Sequence, residues 1–306
     1  MPLRIGTRES LLARWQAEWV AARLRDQGQE VVLVLIRTRG DAQQVAPIGA
    51  LGGQGVFTKE IQAALLDGQI DVAVHSLKDL PTDQVNGLCL AAVPERGPVR
   101  DALVCRQASS LGEIPEGTVV GTGSLRRRAQ LLFHRPDLRV EGIRGNVDTR
   151  LRKLDEGQFD AIMLAEAGLT RLGLAARITE RLPLDIMLPA VGQGALGIET
   201  RDSHEEALQA AAGLDHAQTH AAVVAERAML AGLHGGCLAP IAAHGSMQAT
   251  TLTLRGRVIH PNGEAMVEAT FDARMDQAAA LGQQVADALL AQGAADFIQQ
   301  ARGNQS

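Results

Sequence analysis

The chain contains no tyrosine, and its few phenylalanines and tryptophans bring the aromatic share to only 2% of 306 residues. Single-stranded nucleic acid binds by stacking bases on aromatic faces, and this chain has little to offer it. Lysine is scarce as well: Lys59, Lys78 and Lys153 are the only three among 30 basic residues. With a formal charge of −5, the molecule as a whole has no attraction for nucleic acid or for an anionic membrane. The longest strongly apolar run, Val31 to Ile36, is far too short to span a bilayer. The opening residues "MPLRIGTRES" include no apolar h-region, so no secretory signal is expected. Cys89, Cys105 and Cys237 have no metal-like spacing and form an odd set, which fits a reducing compartment, most simply the cytoplasm.

What is present is an ordinary soluble mix, 46% hydrophobic and 21% charged, long enough for two or three domains. The charge is unevenly placed. Residues 121–153 hold eight Arg and one Lys against Asp137, Glu141 and Asp148, a local net of +6, so the remainder sums to −11. "LRIGT" reads as a strand, followed by a helix from about Glu9 to Gln27 with Leu12, Trp15, Trp19 and Ala22 on one face. "VVLVLIR" then reads as a strand buried in a parallel sheet. This β-α-β opening points to an α/β architecture.

An internal repeat supports it. "RIGTRESLLAR" is echoed by "VVGTGSLRRRAQ" (119–130), and "DGQIDVAVHSLKDL" (67–80) by "EGQFDAIMLAEAGL" (156–169). Two related α/β halves therefore meet near Glu95 to Arg100. The first half is the longer, through a Gly-rich stretch from Arg39 to Val56 that reads as a mobile loop. After Glu199 the character changes. A helix is expected over about Thr219 to Gly232, two antiparallel strands in "TLTLRGRVI" and "AMVEATF", and a closing helix over Asp276 to Gln292, together a small α+β domain.

The strand expected at Ile70 to Val74 runs into His75, Ser76, Leu77, Lys78 and Asp79, where the second copy has Leu164, Ala165, Glu166, Ala167 and Gly168. The scaffold thus makes this transition without the polar cluster, which argues against mere helix capping. Ligands bind at the carboxyl ends of strands in α/β sheets, and the cluster lies at such an end. The two Gly-Thr turns carry Thr7, Arg8 and Ser10 in one half and Thr122, Ser124, Arg126 and Arg127 in the other. Helix starts favour anions, and guanidinium recognises carboxylate bidentately. Capping by Thr and Ser is the plain alternative, but three consecutive arginines at a helix start oppose the dipole, which points to an anionic partner. "IRGNVDTRLRKL" adds Arg144 and Arg150. Cys237, in "HGGCLAP", is flanked by glycines that let a bulky group approach, and a thiolate is a strong nucleophile. Cys89 and Cys105 sit in strand-like apolar text and read as core.

The sequence resembles the porphobilinogen deaminase (hydroxymethylbilane synthase) family over essentially its whole length. The motifs that carry the likeness are "RIGTRESLLARWQ", "GGQGVFTKEI", "DVAVHSLKDLP", "GTGSLRRRAQL", "IRGNVDTRL", "AGLTRLG", "LPAVGQGALGIE" and "HGGCLAP", in that order. The resemblance implies two α/β domains like type II periplasmic binding proteins, with a cleft between them, plus a small α+β C-terminal domain. Expected boundaries are 1–95 with about 195–213 for the first, 100–190 for the second and 217–306 for the third. It implies a dipyrromethane cofactor on Cys237 through a thioether, and stepwise addition of four porphobilinogen units with release of ammonia. Asp79 matches the family's catalytic aspartate. Ser76, Lys78, Thr122, Ser124, Arg126, Arg127, Arg144 and Gln193 match cofactor contacts, and Arg8, Ser10, Arg150 and Arg171 match substrate contacts. A cytoplasmic monomer is implied, with no metal, nucleic-acid or membrane partner. One departure concerns the loop, where Ala50 and Gln54 stand at positions the family often fills with lysine, while Phe57 and Lys59 are retained.

Two rivals compete with this reading. A non-catalytic binder of a small anion needs only the two halves, but leaves Cys237 and the third domain without a role. A cysteine-nucleophile transferase pairing Cys237 with His234 or His75 explains the thiol, but not the clustered arginines.

Overall fold

The computed structural model describes residues 1–37, 58–234 and 239–303. The loop expected over Arg39 to Val56, with Ala50 and Gln54, lies outside the described residues, as do Phe57, Gly235, Gly236 and Cys237. The chain falls into two compact units, residues 1–97 with 195–220, and residues 98–194 with 221–306.

The first unit opens with β1 (Leu3–Thr7), α1 (Leu11–Asp26), β2 (Val31–Leu35), α2 (Lys59–Leu66), β3 (Val72–Ser76) and β4 (Leu88–Ala92). The second follows with β5 (Asp101–Cys105), β6 (Val119–Gly121), α3 (Leu125–His134), β7 (Arg139–Glu141), α4 (Val147–Asp155), β8 (Ala161–Ala165), α5 (Glu166–Arg171) and β9 (Glu180–Arg181). The chain then returns to the first unit through β10 (Leu196–Arg201) and α6 (Glu205–Ala212). Helix α7 (Ala217–Gly232) leads into β11 (Ile241–Gln248), β12 (Thr251–Ile259), β13 (Met266–Arg274), α8 (Ala278–Ala291) and α9 (Ala294–Gly303).

The two five-stranded sheets have orders β2-β1-β3-β10-β4 and β7-β6-β8-β5-β9, and these are one topology. In each, the strand beside the central pair is antiparallel to its neighbours: β10 against β3 and β4, β5 against β8 and β9. The internal repeat is kept down to the register. Ile5 pairs with Val72 and Gly6 with Ala73 in one sheet, Val120 with Ala161 and Gly121 with Ile162 in the other. The shared aspartate does the same work twice. Asp71 accepts from the Arg4 N–H at 3.0 Å and Asp160 from the Val119 N–H at 3.0 Å, extending a strand pair by a side-chain bond. The shared glycine has one cause in both copies. A Cβ on Gly6 would lie 2.3 Å from Ile70 Cδ1, and one on Gly121 would lie 2.9 Å from Phe159 Cδ1, because the residue two before the strand folds over the glycine. Gly121→Ala is expected to cost ~1–3 kcal/mol by overpacking against the Phe159 ring, read as a lowered urea midpoint at an unchanged slope.

Several expectations are corrected in detail. Helix α1 starts at Leu11, because the Ser10 side chain accepts from the Ala13 N–H at 3.3 Å and caps it. Its buried face is Gln16, Ala17, Val20, Ala21 and Leu24 rather than the tryptophan stripe. The small alanines let the helix approach the sheet, while Trp19 lies half-exposed under the Arg23 guanidinium, 3.3 Å from its ring centre. Strand β2 is parallel to β1 but lies at the sheet edge, with Val32 and Leu35 exposed, since it has one strand neighbour and incomplete helical cover. Strand β3 begins two residues later than expected and includes His75 and Ser76, because β10 pairs with them. Cys89 and Cys105 are half-buried, and Cys105 packs against the apolar core of the second unit.

The C-terminal portion is an antiparallel sheet, β11-β12-β13, with its own apolar core built with α7 and α8. The expected strand pair is β12 with β13, and the expected closing helix is α8. Strand β11 and helix α9 are additional. Among the described residues, no helix is long and apolar enough to cross a membrane.

Candidate functional site

In the first unit β1 and β3 are parallel, so Thr7, Arg8 and the residues after His75 emerge at the same carboxyl end of the sheet. Ser76 is tied to the helix beside it by a hydrogen bond of 2.8 Å from Gln16 Nε2 to its Oγ. The chain then turns through a short 3-10 segment, Leu77–Asp79. Leu77 anchors this turn: its side chain is buried and its N–H donates to the Ala195 carbonyl at 3.1 Å. Lys78 and Asp79 are left half-buried at the surface of the turn, and no hydrogen bond from the described residues reaches the Asp79 carboxylate. Arg8 is half-buried at the end of β1, and Ser10 is the α1 cap. A capping hydroxyl accepts from the backbone and keeps its own proton to donate.

His75 belongs to a different constellation. Its Nε2 lies 3.0 Å from Glu199 Oε2, and Gln62 Nε2 donates to Glu199 Oε1 at 2.9 Å, all three side chains being buried. The imidazole ties β3 to β10 and α2, which removes it as the exposed base a cysteine transferase would need.

In the second unit the equivalent sheet end carries the arginines. Ser124 caps α3, accepting from the Arg127 N–H at 3.4 Å, and Thr122 Oγ1 accepts from the Ser124 N–H at 3.2 Å. Arg126 and Arg127 are both buried, and both reach Asp101, which is fully buried at the start of β5. Arg126 Nη1 donates to Asp101 Oδ2 at 2.7 Å and to the Leu188 carbonyl at 2.7 Å. Arg127 Nε donates to Asp101 Oδ1 at 2.9 Å, and Nη1 to the Met163 carbonyl at 3.0 Å. Gln193 Nε2 joins them, donating to Asp101 Oδ1 at 3.1 Å and to the Val99 carbonyl at 2.8 Å. Part of the anion that the helix-start arginines call for is therefore the protein's own aspartate. Burial alone would raise the Asp101 pKa, but the two guanidiniums outweigh it and hold it at about 2. Arg126 is nonetheless pushed down by burial and by Arg127, since one carboxylate cannot compensate two cations.

Arg144, Arg150 and Arg171 follow the ends of β7 and β8. Burial lowers the Arg171 guanidinium to about 10 and lowers Arg144 as well. Desolvation disfavours the charged form of a guanidinium, and an anion brought beside it would offset that cost. Arg171 Nη2 is fixed by the Gly194 carbonyl at 2.7 Å, and Arg150 Nε by the Gly145 carbonyl at 2.8 Å. The loop 192–194 is itself held from the C-terminal portion, where the buried Glu226 accepts from the Gly192 N–H at 2.6 Å and the Gly245 N–H at 2.7 Å. Cys237 lies between α7 and β11, outside the described residues.

Asp101, Glu199, Gln130 and Arg257 were not singled out by sequence reasoning. Arg257 is buried on β12 and donates to Gln130 Oε1 at 2.9 Å and to Glu268 at 2.7 Å. Gln130 in turn accepts from the Leu188 N–H at 2.9 Å, beside the carbonyl that Arg126 uses. The repeat could not reveal Asp101, because its counterpart Leu196 comes from a strand at the far end of the other copy.

Comparison with known proteins completes the picture. A family model described as "Porphobilinogen deaminase, dipyromethane cofactor binding domain" matches residues 3–209, and one described as "Porphobilinogen deaminase, C-terminal domain" matches 220–291. The curated porphobilinogen deaminase of Syntrophotalea carbinolica is 50% identical over 294 residues, covering 95% of this chain and 93% of that one. The chain belongs to the porphobilinogen deaminase family. The relative from Pelobacter propionicus is 48% identical over 300 residues, covering 97% of this chain and 96% of its own. Among solved structures, an ABC-transporter periplasmic substrate-binding protein from Coxiella burnetii aligns with a TM-score of 0.45 at 13% identity, over 74% of this chain and 96% of that one. The family's expected fold class, two periplasmic-binding-protein-like α/β domains with a small α+β domain, agrees with the three sheets.

For a porphobilinogen deaminase whose second unit is built on Asp101, acid sensitivity follows. Its folded pKa of about 2 lies below the usual carboxylate value, so the stabilisation is complete above about pH 4 and is lost as pH falls toward 2. The loss is expected to be about 2 kcal/mol from this group. Urea titrations at pH 5 and pH 3 measure the total, and the Asp101 carboxyl carbon shift should still report an ionised group at pH 3. Titration near pH 4 would remove Asp101 from the account.

Proposed function

We infer that the chain is a hydroxymethylbilane synthase, which condenses four porphobilinogen molecules head to tail, releases ammonia at each addition and frees the linear tetrapyrrole by hydrolysis. The observation that carries this is the near full-length match to curated porphobilinogen deaminases at about half identity. The alternative of a non-catalytic anion binder would leave the C-terminal family domain without a role.

The residues fit a dipyrromethane cofactor. Its acetate and propionate groups need cations, and Arg126 offers a buried Nε with no hydrogen-bond partner among the described residues, while burial lowers the Arg144 guanidinium. Cys237 supplies the thioether, and Ser76, Lys78, Thr122, Ser124, Arg126, Arg127, Arg144 and Gln193 hold the group. When bound, the cofactor supplies the nucleophilic pyrrole position that starts the chain. Arg8, Ser10, Arg150 and Arg171 take the carboxylates of the incoming substrate.

Asp79 is the catalytic group. Loss of ammonia from the substrate's aminomethyl carbon leaves an electron-poor ring whose positive charge is shared by the pyrrole nitrogen. A carboxylate fixed beside that nitrogen stabilises the charge where it develops and can hold a proton during coupling. No hydrogen bond from the described residues reaches the Asp79 carboxylate, which supports this role, since that acceptor capacity is open to the substrate. We place the enzyme in the cytoplasm as a monomer, with domain boundaries near residues 95–100, 190–195 and 213–217. Incubation with porphobilinogen tests the function: ammonia and hydroxymethylbilane should form, and a binder would release neither.

A further inference from the structure

Arg126, Arg127 and Gln193, three side chains from two separated stretches of sequence, converge on the single carboxylate of Asp101. Its Oδ1 takes Arg127 Nε at 2.9 Å and Gln193 Nε2 at 3.1 Å, and its Oδ2 takes Arg126 Nη1 at 2.7 Å. Two guanidiniums share one carboxylate, so this buried trio keeps one net positive charge. Arg126 Nε, moreover, is buried without a hydrogen-bond partner. An excess buried charge and an unpaired buried N–H are both costly, and a ligand carboxylate relieves both at once.

The repeat provides a control. At the equivalent register position, Leu196 lies opposite Ser76 as Asp101 lies opposite Ala165. The backbone around the two is the same, with Leu77 N–H donating to the Ala195 carbonyl and Glu166 N–H to the Arg100 carbonyl, each at 3.1 Å. The sheet closes equally well on a leucine, so the fold itself does not call for a carboxylate there.

We propose that Asp101 is a positioning residue: it fixes Arg126, Arg127 and Gln193 as one rigid donor set and trims their charge to that matched by a single pyrrole carboxylate. This rests on the assignment of those three residues to the cofactor. Asp101 acts through them and touches no substrate.

The test compares wild type with Asp101→Asn, Asp101→Glu and Asp71→Asn, the last breaking the ion pair of another buried aspartate, Asp71 with the more exposed Arg4 at 2.7 Å, at the other end of the first sheet. Three readouts are taken on purified holoenzyme: thermal midpoint, the fraction carrying a two-pyrrole mass, and KM for porphobilinogen. Asp101→Asn should lose at least tenfold in pyrrole-loaded fraction or gain at least tenfold in KM, while Asp71→Asn stays within threefold of wild type on both. Asp101→Glu keeps the charge, and so guards against a variant that merely fails to fold, but displaces the carboxylate by one methylene. It should remain impaired. Recovery by Asp101→Glu to within threefold, or equal losses in Asp71→Asn, would overturn the positioning role. A wild-type chain with no bound pyrrole and no ammonia release would instead overturn the synthase reading on which it rests.

Discussion

Asp79→Asn is expected to give a folded protein that forms product about 10³-fold more slowly. Asparagine has nearly the shape of aspartate, and the Asp79 carboxylate accepts no hydrogen bond from the described residues, so stability should change by no more than about 0.5 kcal/mol. Catalysis should change far more. A unit charge about 4 Å from a developing cation at an effective dielectric near 20 contributes about 4 kcal/mol, which corresponds to roughly three decades in rate. The amide keeps the geometry and removes that charge. Single-turnover rates, measured beside thermal melts of the same preparations, separate the two effects. Near-normal product formation would take Asp79 out of the mechanism.

Cys237→Ser is expected to yield protein without covalently bound pyrroles and with turnover at background. A serine hydroxyl is not ionised near neutral pH, whereas a thiol is a few per cent thiolate and intrinsically a better nucleophile. Serine differs from cysteine at this position by one atom, so the expected difference is one of reactivity. Intact-protein mass spectrometry with peptide mapping decides it. Wild type should show an excess equal to two linked pyrroles on the peptide containing Cys237, and the serine variant none. Retention of bound pyrroles by the variant would place the attachment elsewhere.

Much of this was legible in the chain. The repeat in "DGQIDVAV" and "EGQFDAIM" encodes strand register, because its aspartate bonds the neighbouring strand and its bulky residue, Ile70 or Phe159, covers the glycine of "RIGT" or "VVGT". The contrast between His75–Asp79 and Leu164–Gly168 marked a candidate strand end in the sequence alone. Periodicity was less reliable for α1, where the buried face is the alanine side and the tryptophans are only half-covered. It also failed for β2, whose apolar run looks buried but lies at an edge.

What the sequence by itself determined was the α/β class, the doubling of the unit, the strand end that bears Asp79 and the helix start that bears the arginines, because each is written in residues close together in the chain. What only the tertiary structure decided was how those arginines are used. Asp101 lies 25 residues from Arg126 and 92 from Gln193, and Glu199 lies 124 from His75. The aspartate and the glutamate each sit on a strand that runs antiparallel to its neighbours, β5 for Asp101 and β10 for Glu199. Burial there turns Asp101 from an unremarked strand residue into the centre of the site's charge, and turns His75 from a candidate base into a brace. Desolvation and long-range pairing have no local signature, so they became visible only once the sheets were closed.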